Sequence, residues 1–377
     1  MYSEEDINSA VASGALSAEA AERFRAHMSQ LRAMPRGDEE NFRLVTSFND
    51  IFVSIGVVIL LIAVGSIGGA ITGAPNDASL FGSLFPVFLP SAMVAAAAWF
   101  LAEIFTRRRR MALPSILLLV AFVGGVLAAS FALVSLPIGL ISGIHTFTDR
   151  ALGQSRVSDG MASVLVVLVM IGAAALTSYA AWQHWKRFMV PITVAAGAGA
   201  VVACAIGAAA LVQQILTNGQ GHFPMLSLVL VAGLGVFALA MRWDMSDRER
   251  TTRRSDVAFW LHLLAAPLIV HPLFHMLGLL HGSANAAQAM AAIAIYLGLG
   301  VVALLVDRRA LLVSGLFYLF SALSAVLRAT GMLGHGLATT ALVAGAALLL
   351  LSAFWHKARA GVMALTPPGL RAMLSPV

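Results

Sequence analysis

The residues whose types and spacing allow chemistry sit in one apolar stretch, FWLHLLAAPLIVHPLFHMLGLLHG, from Phe259 to Gly282. Histidine binds a proton, a metal ion or a polar substrate near neutral pH. His271 and His275 are four residues apart, so on a helix they stand about 40° apart and share a face. An i,i+4 imidazole pair can hold a metal from one helix, hydrogen-bond neighbouring helices, or line a polar path. His262 points about 180° from His271 and is not expected to join the pair. Pro267 and Pro272 take hydrogen bonds away from the carbonyls of Leu263 and Leu268. In hydrocarbon such carbonyls persist only where protein, polar side chains or water satisfy them. Ionisable groups in a span usually face the bundle interior or a wet cavity. The stretch therefore reads as a kinked span over 257–280 that lines an outward-facing polar cavity.

Other polar residues gather at the same depth. Gln213, Gln214, His281 and Arg328 fall at the outer ends of spans or in outer loops, as do His145, His222 and His335. With His271 and His275 they are the candidate substrate or cavity residues, and Pro267 and Pro272 shape the segment. Three readings stay open for the histidine pair: interhelical hydrogen bonding, a substrate or ion site, or a metal site with His271 and His275 as ligands. A haem bridging two helices would need a second histidine at matching depth, which no other span offers, so no cofactor is expected. Glu103 reads as the only carboxylate within a span, about a turn from the arginines beginning at Arg107, with which it should pair. A carboxylate proton relay then has no candidate. Phosphate-binding glycine loops, HExxH helices and Ser/His/Asp patterns are absent, which weighs against an enzyme.

The elements that position these residues follow from composition. Of 377 residues, 59% are hydrophobic and 11% charged, far below the roughly 25% charged of soluble domains. Apolar runs of spanning length are expected near Ile51–Ile71, Leu84–Ile104, Pro114–Val134, Ala162–Ala181, Met189–Leu216, Met225–Ala240, Val257–Leu280, Ala287–Val306, Leu311–Leu327 and Ala338–Ala353. The fold class is thus all-α, a polytopic bundle of about ten spans. Cations cluster at Arg107–Arg110, Lys186–Arg187, Arg242 through Arg254, Arg308–Arg309 and Lys357–Arg359, always after even spans. The intervening loops, including the one around His145–Asp159, carry few. Positive-inside bias then places both termini in the cytosol. Trp99, Trp182, Trp185, Trp243, Trp260 and Trp355 lie near the basic span ends, where indoles favour the interface. The net charge of +6 is spent on these connections, so nucleic acid is not an expected partner. The acidic, polar start gives no cleavable signal, and Cys204 alone forms no internal disulfide.

RRRRMALPSILLLVAF, WKRFMVPITVAAGAG and DRRALLVSGLFYLF repeat a basic pair, a short link and a new span. The two-helix hairpin is the apparent building unit. Ahead of the bundle, residues 1–37 read as a short cytosolic helical hairpin. Ser3 and Ser17 cap its helices, Gly14 ends the first, and Ala20, Phe24, Met28 and Leu31 form a stripe on the second. The bundle covers 38–356 and a cytosolic tail 357–377.

INSAVASGALSAEAAERFRAHM with FRLVTSFNDIFVSIGVVILLIAVG, and the DRRALL link, resemble the opening of uncharacterised bacterial multi-spanning membrane proteins that begin with a cytosolic helical segment. The resemblance implies the bacterial inner membrane and brings no catalytic residues. Transporter-like function with an outward-facing cavity is the leading expectation. The alternatives are a non-transporting accessory or scaffold protein that binds a cytosolic partner through residues 1–37, and an intramembrane metal-binding protein. In each case the lipid bilayer is a partner.

Overall fold

The computed structural model describes residues 4–33, 48–73, 80–151, 159–217, 224–250, 252–278, 286–309, 311–312, 316, 320, 336–371 and 373–375. Every regular element among them is helical. The chain divides into two compact units, Met1–Arg43 and Leu44–Val377.

The first unit holds α1 (Glu4–Ala12) and α2 (Ala18–Ala33). Gly14 adopts φ +76°, the left-handed conformation that ends a helix without a Cβ clash. Ser17 Oγ then accepts from the Ala20 amide at 3.1 Å and starts α2. Arg25 ties the helices by donating to Asn8 Oδ1 at 2.8 Å. Ala21 is buried, whereas Phe24 is 39% exposed, so the inward face of α2 is rotated from the stripe expected.

The second unit contains α3 (Phe48–Thr72), α4 (Leu80–Ala102), α5 (Ala112–Ala151), α6 (Asp159–Phe188), α7 (Ile192–Thr217), α8 (Met225–Met245), α9 (Arg253–Met276), α10 (Ala286–Val306), α11 (Gly336–Ala353), α12 (Trp355–Leu365) and α13 (Pro368–Arg371). Seven helices, α3 to α9, include a stretch long and apolar enough to cross a bilayer. Their outward sides carry exposed Phe52, Ile59, Ile62, Val166, Val201 and Val231. A soluble protein would hide such side chains; lipid accepts them. The chain is a polytopic integral membrane protein. Of the three further spans expected, two fall on α10 and α11, and Leu311–Leu327 lies largely outside the described residues.

Three features differ from expectation. No proline interrupts the chain between Gly139 and Ala151, so α5 continues to Ala151 through the start of the expected loop at His145. Gly278 at φ +71° stops α9, which ends at Met276, short of Leu280. Asp50, Asp244 and Asp256 join Glu103 inside candidate spans, so Glu103 is not the only carboxylate there. It does pair as expected, with Arg107 at 3.2 Å, and also with Arg187 of α6 at 2.6 Å. It does so from a π-helical turn, Glu103–Arg108, that extends α4.

The basic connections share a turn. Arg110, Met189, Arg250 and Asp307 all have φ between 52° and 57°, one left-handed residue that lets a helix end and the chain reverse. At three of them the next residue is buried: Met111, Val190 and Arg308. Two of these positions are apolar. The third is an arginine, and the candidate site is built around it.

Within the bundle α9 is the most enclosed of the seven, with half of its spanning window buried against a third at most elsewhere. It lies against α7 and α8 through Ala195, Val236, Ala240, Val257, Leu261 and Ala265. It also packs with α10 through Val270, Phe274 and Ala292. Glycine makes the closest approach possible. A Cβ on Gly233 of α8 would lie 2.8 Å from the Leu268 carbonyl carbon, the residue whose hydrogen bond Pro272 removes. Gly68 meets Pro90 and Gly125 meets Ser91 in the same way, at 2.7 Å.

This contact is testable with a matched pair. Gly→Ala inside a helix gains roughly 1 kcal/mol of propensity, whereas overpacking costs about 1–3 kcal/mol. Gly235 has nothing within 4 Å of its Cβ position. Gly233→Ala should therefore lower the unfolding temperature in detergent, and Gly235→Ala should leave it level or raise it. Equal effects would refute the close contact.

Candidate functional site

The histidine pair forms as its spacing requires. His271 and His275 have ring centroids 6.2 Å apart on one face of α9. His271 and Pro267 are exposed, His275 is half-buried and Pro272 is buried. The helix runs unbroken through both prolines. Half-buried Gln214 donates from its amide to Ser163 of α6, and the Gln213 carbonyl accepts from Thr217 at 2.9 Å. His281 and Arg328 lie outside the described residues. Among the described residues no group of three or more His, Cys, Asp or Glu side chains is placed to hold a metal ion.

The concentration of buried polar chemistry is instead at the basic end of the same helix. Its foundation is the α8–α9 connection. Asp247 Oδ2 accepts from Thr252 N at 2.9 Å, Thr252 Oγ1 at 2.7 Å and Ser255 N at 3.3 Å. A carboxylate at this position accepts from amides at the start of α9 and complements its dipole. Thr252 caps the helix as well, accepting from Arg254 N at 3.2 Å.

Arg308 enters from the turn after α10 and is 2% exposed. Its Nη2 donates to Asp244 Oδ1 on α8 at 2.6 Å, and to Ser255 O and Oγ on α9 at 3.1 and 3.0 Å. One guanidinium thus cross-links the ends of three helices. Arg250 makes the reciprocal bridge. It donates to Asp307 Oδ2 at 2.8 Å and to the carbonyls of Val306 and Asp307 at 2.9 and 3.1 Å, capping α10. Burial and the neighbouring Arg308 pull the Arg250 guanidinium below its ordinary pKa, while Asp307 and Asp244 oppose this.

The chain after α11 closes over these charges. Trp355 on α12 donates Nε1–H to Asp307 Oδ1 at 2.8 Å. Arg359 donates to Ser375 O and Oγ at 2.8 Å, Arg250 reaches the same hydroxyl at 3.3 Å, and Arg248 holds the Leu374 carbonyl at 3.0 Å. Residues 374 and 375 of the segment expected as a cytosolic tail are thus held by arginines of this cluster.

His262 completes the site from the membrane side. It is 0% exposed, edge-on to Phe237 with centroids 5.2 Å apart. Neither ring nitrogen has a hydrogen-bond partner. Its Nε2 lies 3.9 Å from Asp244 Oδ2, the oxygen not held by Arg308. Tyr296 of α10, with a buried hydroxyl that is also unpartnered, packs in one cluster with Ala266, a turn along α9 from His262. A second buried histidine, His184, differs in kind. Its Nδ1 is 3.2 Å from Thr193 Oγ1, and Trp99, Phe122 and Phe188 enclose the ring.

Sequence reasoning placed the candidate chemistry on α9 at His271 and His275, at the opposite end from the buried cluster that holds His262. It set His262 aside because it cannot face His271, yet that opposition turns His262 into the bundle. It also read the basic connections as orienting charge alone. The available signal was acid among the cations: Asp244, Asp247 and Asp256 within WDMSDRERTTRRSD, and Asp307 before Arg308. Orientation requires only cations, so interleaved aspartates mark pairing. No family model, curated protein or solved structure matches this chain.

Proposed function

We propose that this chain is a transporter-like protein of the bacterial inner membrane, its basic helix ends in the cytosol, with the Arg308–Asp244–Ser255 cross-link acting as an inner gate. The observation that carries this reading is a charged network buried where α8, α9, α10 and α12 converge. Anchoring a bundle needs no such network. Buried ion pairs contribute little net stability against apolar packing of the same shape, and intramembrane charge normally marks a pathway or switch. In this reading the other half of α9, with His271, His275 and Pro267, faces solute from the outer side, together with Gln213 and Gln214. With the inner cross-link made, the cytosolic route is shut. Breaking it separates α10 from α8 and α9.

The test is whether the gate moves. Spin labels at exposed Ser246 and Lys357, introduced as cysteines in a Cys204→Ser background, should give two distance populations in lipid nanodiscs. Replacing the pair with Asp244→Asn and Arg308→Met should shift the balance toward the longer distance. One narrow distance, unchanged by the replacement, would favour a static scaffold and sink the transporter reading.

A further inference from the structure

The buried end of α9 holds an imidazole that none of the cross-links uses. We infer that His262 is a proton-binding site, and that its protonation competes with Arg308 for Asp244; this rests on the gating reading above and names the proton as the ion that drives it.

The geometry supplies each part. A neutral imidazole carries one N–H and one lone pair. His262 is fully buried with both nitrogens unpartnered. Polar atoms in that position are costly and rare, and an imidazolium there would be costlier still. The closed cluster therefore holds the neutral ring. The charged groups around it are Asp244 on α8, with Arg308 and Arg250 from the adjoining turns. Tyr296 is the titratable side chain α10 adds to this cluster. From α7 come Val194, Ala195, Ala198 and Val202, none of them titratable.

Asp244 is the shared element. Its Oδ1 is held by Arg308 at 2.6 Å, and its Oδ2 stands 3.9 Å from His262 Nε2, just beyond hydrogen-bond reach. One proton from the cytosolic water binds the ring lone pair; no other bond forms or breaks, and the ring gains one positive charge. The imidazolium can be stabilised only by drawing Asp244 across that gap. Drawing it across pulls the carboxylate from Arg308, whose other bonds among the described residues go to Ser255. Two cations sharing one carboxylate then favour hydration of the site and separation of α10. Because the closed form excludes the bound proton, acid shifts the population toward the open form.

Two measurements in nanodiscs test this without any solute. The first follows the ring nitrogens of 15N-histidine-labelled protein, with the His262 signal assigned by its loss in His262→Gln. The second follows thiol labelling of Ala258→Cys in the Cys204→Ser background; Ala258 is buried on α9 a turn nearer the basic end. We expect the His262 signal to convert to imidazolium on acidification from about pH 8 to about pH 5. Labelling at 258 should rise over the same range, by up to about tenfold per pH unit for one linked proton. His262→Gln should keep labelling slow at both ends. Should Asp244→Asn misfold, Asp244→Asn with Arg308→Met removes the charges together and should make labelling fast and independent of pH. A His262 ring that stays neutral to about pH 5 overturns the proposal, and so does pH-dependent labelling that persists in His262→Gln. Two spin-label populations whose ratio ignores pH would defeat the proton alone and leave the gate standing.

Discussion

Asp244→Ala is expected to destabilise the protein by about 3–5 kcal/mol, because it strands a buried cation. Arg308 is 2% exposed and makes its one ion pair among the described residues with Asp244. Its remaining bonds, to Ser255 O and Oγ, satisfy one nitrogen and neutralise no charge. The decisive comparison is with Asp244→Asn/Arg308→Met, which removes both charges and keeps volume. Apolar or neutral replacement of a whole buried pair is often harmless, so the double variant should recover most of the loss. Reversible unfolding in mixed micelles, read for both variants and Arg308→Met alone, measures the coupling. A cost near 1 kcal/mol for Asp244→Ala would indicate a hydrated surface pair and remove the physical basis of the gate.

Much of the architecture was legible because hydrocarbon imposes strict terms. Long apolar runs must be helices, and α3 to α9 each overlap a span expected from the sequence, although α5 runs on to Ala151 and α6 to Phe188. Glu103 and its arginine partner follow from a spacing of four residues. The basic turns were visible as a repeated pattern, although the left-handed residue within them is not marked by glycine: Arg110, Met189, Arg250 and Asp307 occupy it. What the sequence conceals is pairing across large separations. Arg308 and Asp244 are 64 residues apart, and nothing in VDRR tells a side chain that turns inward from one that meets the lipid headgroups. The histidines show the same ambiguity. Periodicity establishes that His262 and His271 face opposite ways; only packing decides which way is in. Burial settles that choice: His262 is 0% exposed, whereas His271 is exposed.

Trp355 marks the other place where a local rule pointed outward and packing points inward. An indole beside Lys357 and Arg359 fits the interfacial belt, yet Trp355 is 2% exposed among Ala303, Leu304, Leu311 and Leu312. The membrane-facing role falls instead to Trp182, which is exposed with Lys186 Nζ 3.4 Å from its ring centroid. Trp355 fixes α12 over the ionic cluster through three contacts. Its ring fills the core, its Nε1–H binds Asp307 at 2.8 Å, and the Arg309 guanidinium lies 5.0 Å from the ring. Trp355→Ala should cost about 3–5 kcal/mol, the range for emptying a large aromatic site. Trp355→Phe keeps most of the ring volume and loses the bond to a carboxylate, which is about 1.5–3 kcal/mol. The two losses differ in consequence as well as size. Without its Trp355 bond, Asp307 still holds Arg250 at 2.8 Å, so Trp355→Phe should leave the connection after α10 in place. Trp355→Ala should release α12 together with the Ser375 contacts made through Arg359, and expose Arg250 and Arg308 to water. Hydrogen exchange at the amides of residues 246–250 distinguishes the outcomes: fast exchange in the alanine variant and near-native exchange in the phenylalanine variant. Native exchange in both would mean that the segment after α11 does not cover the cluster in solution.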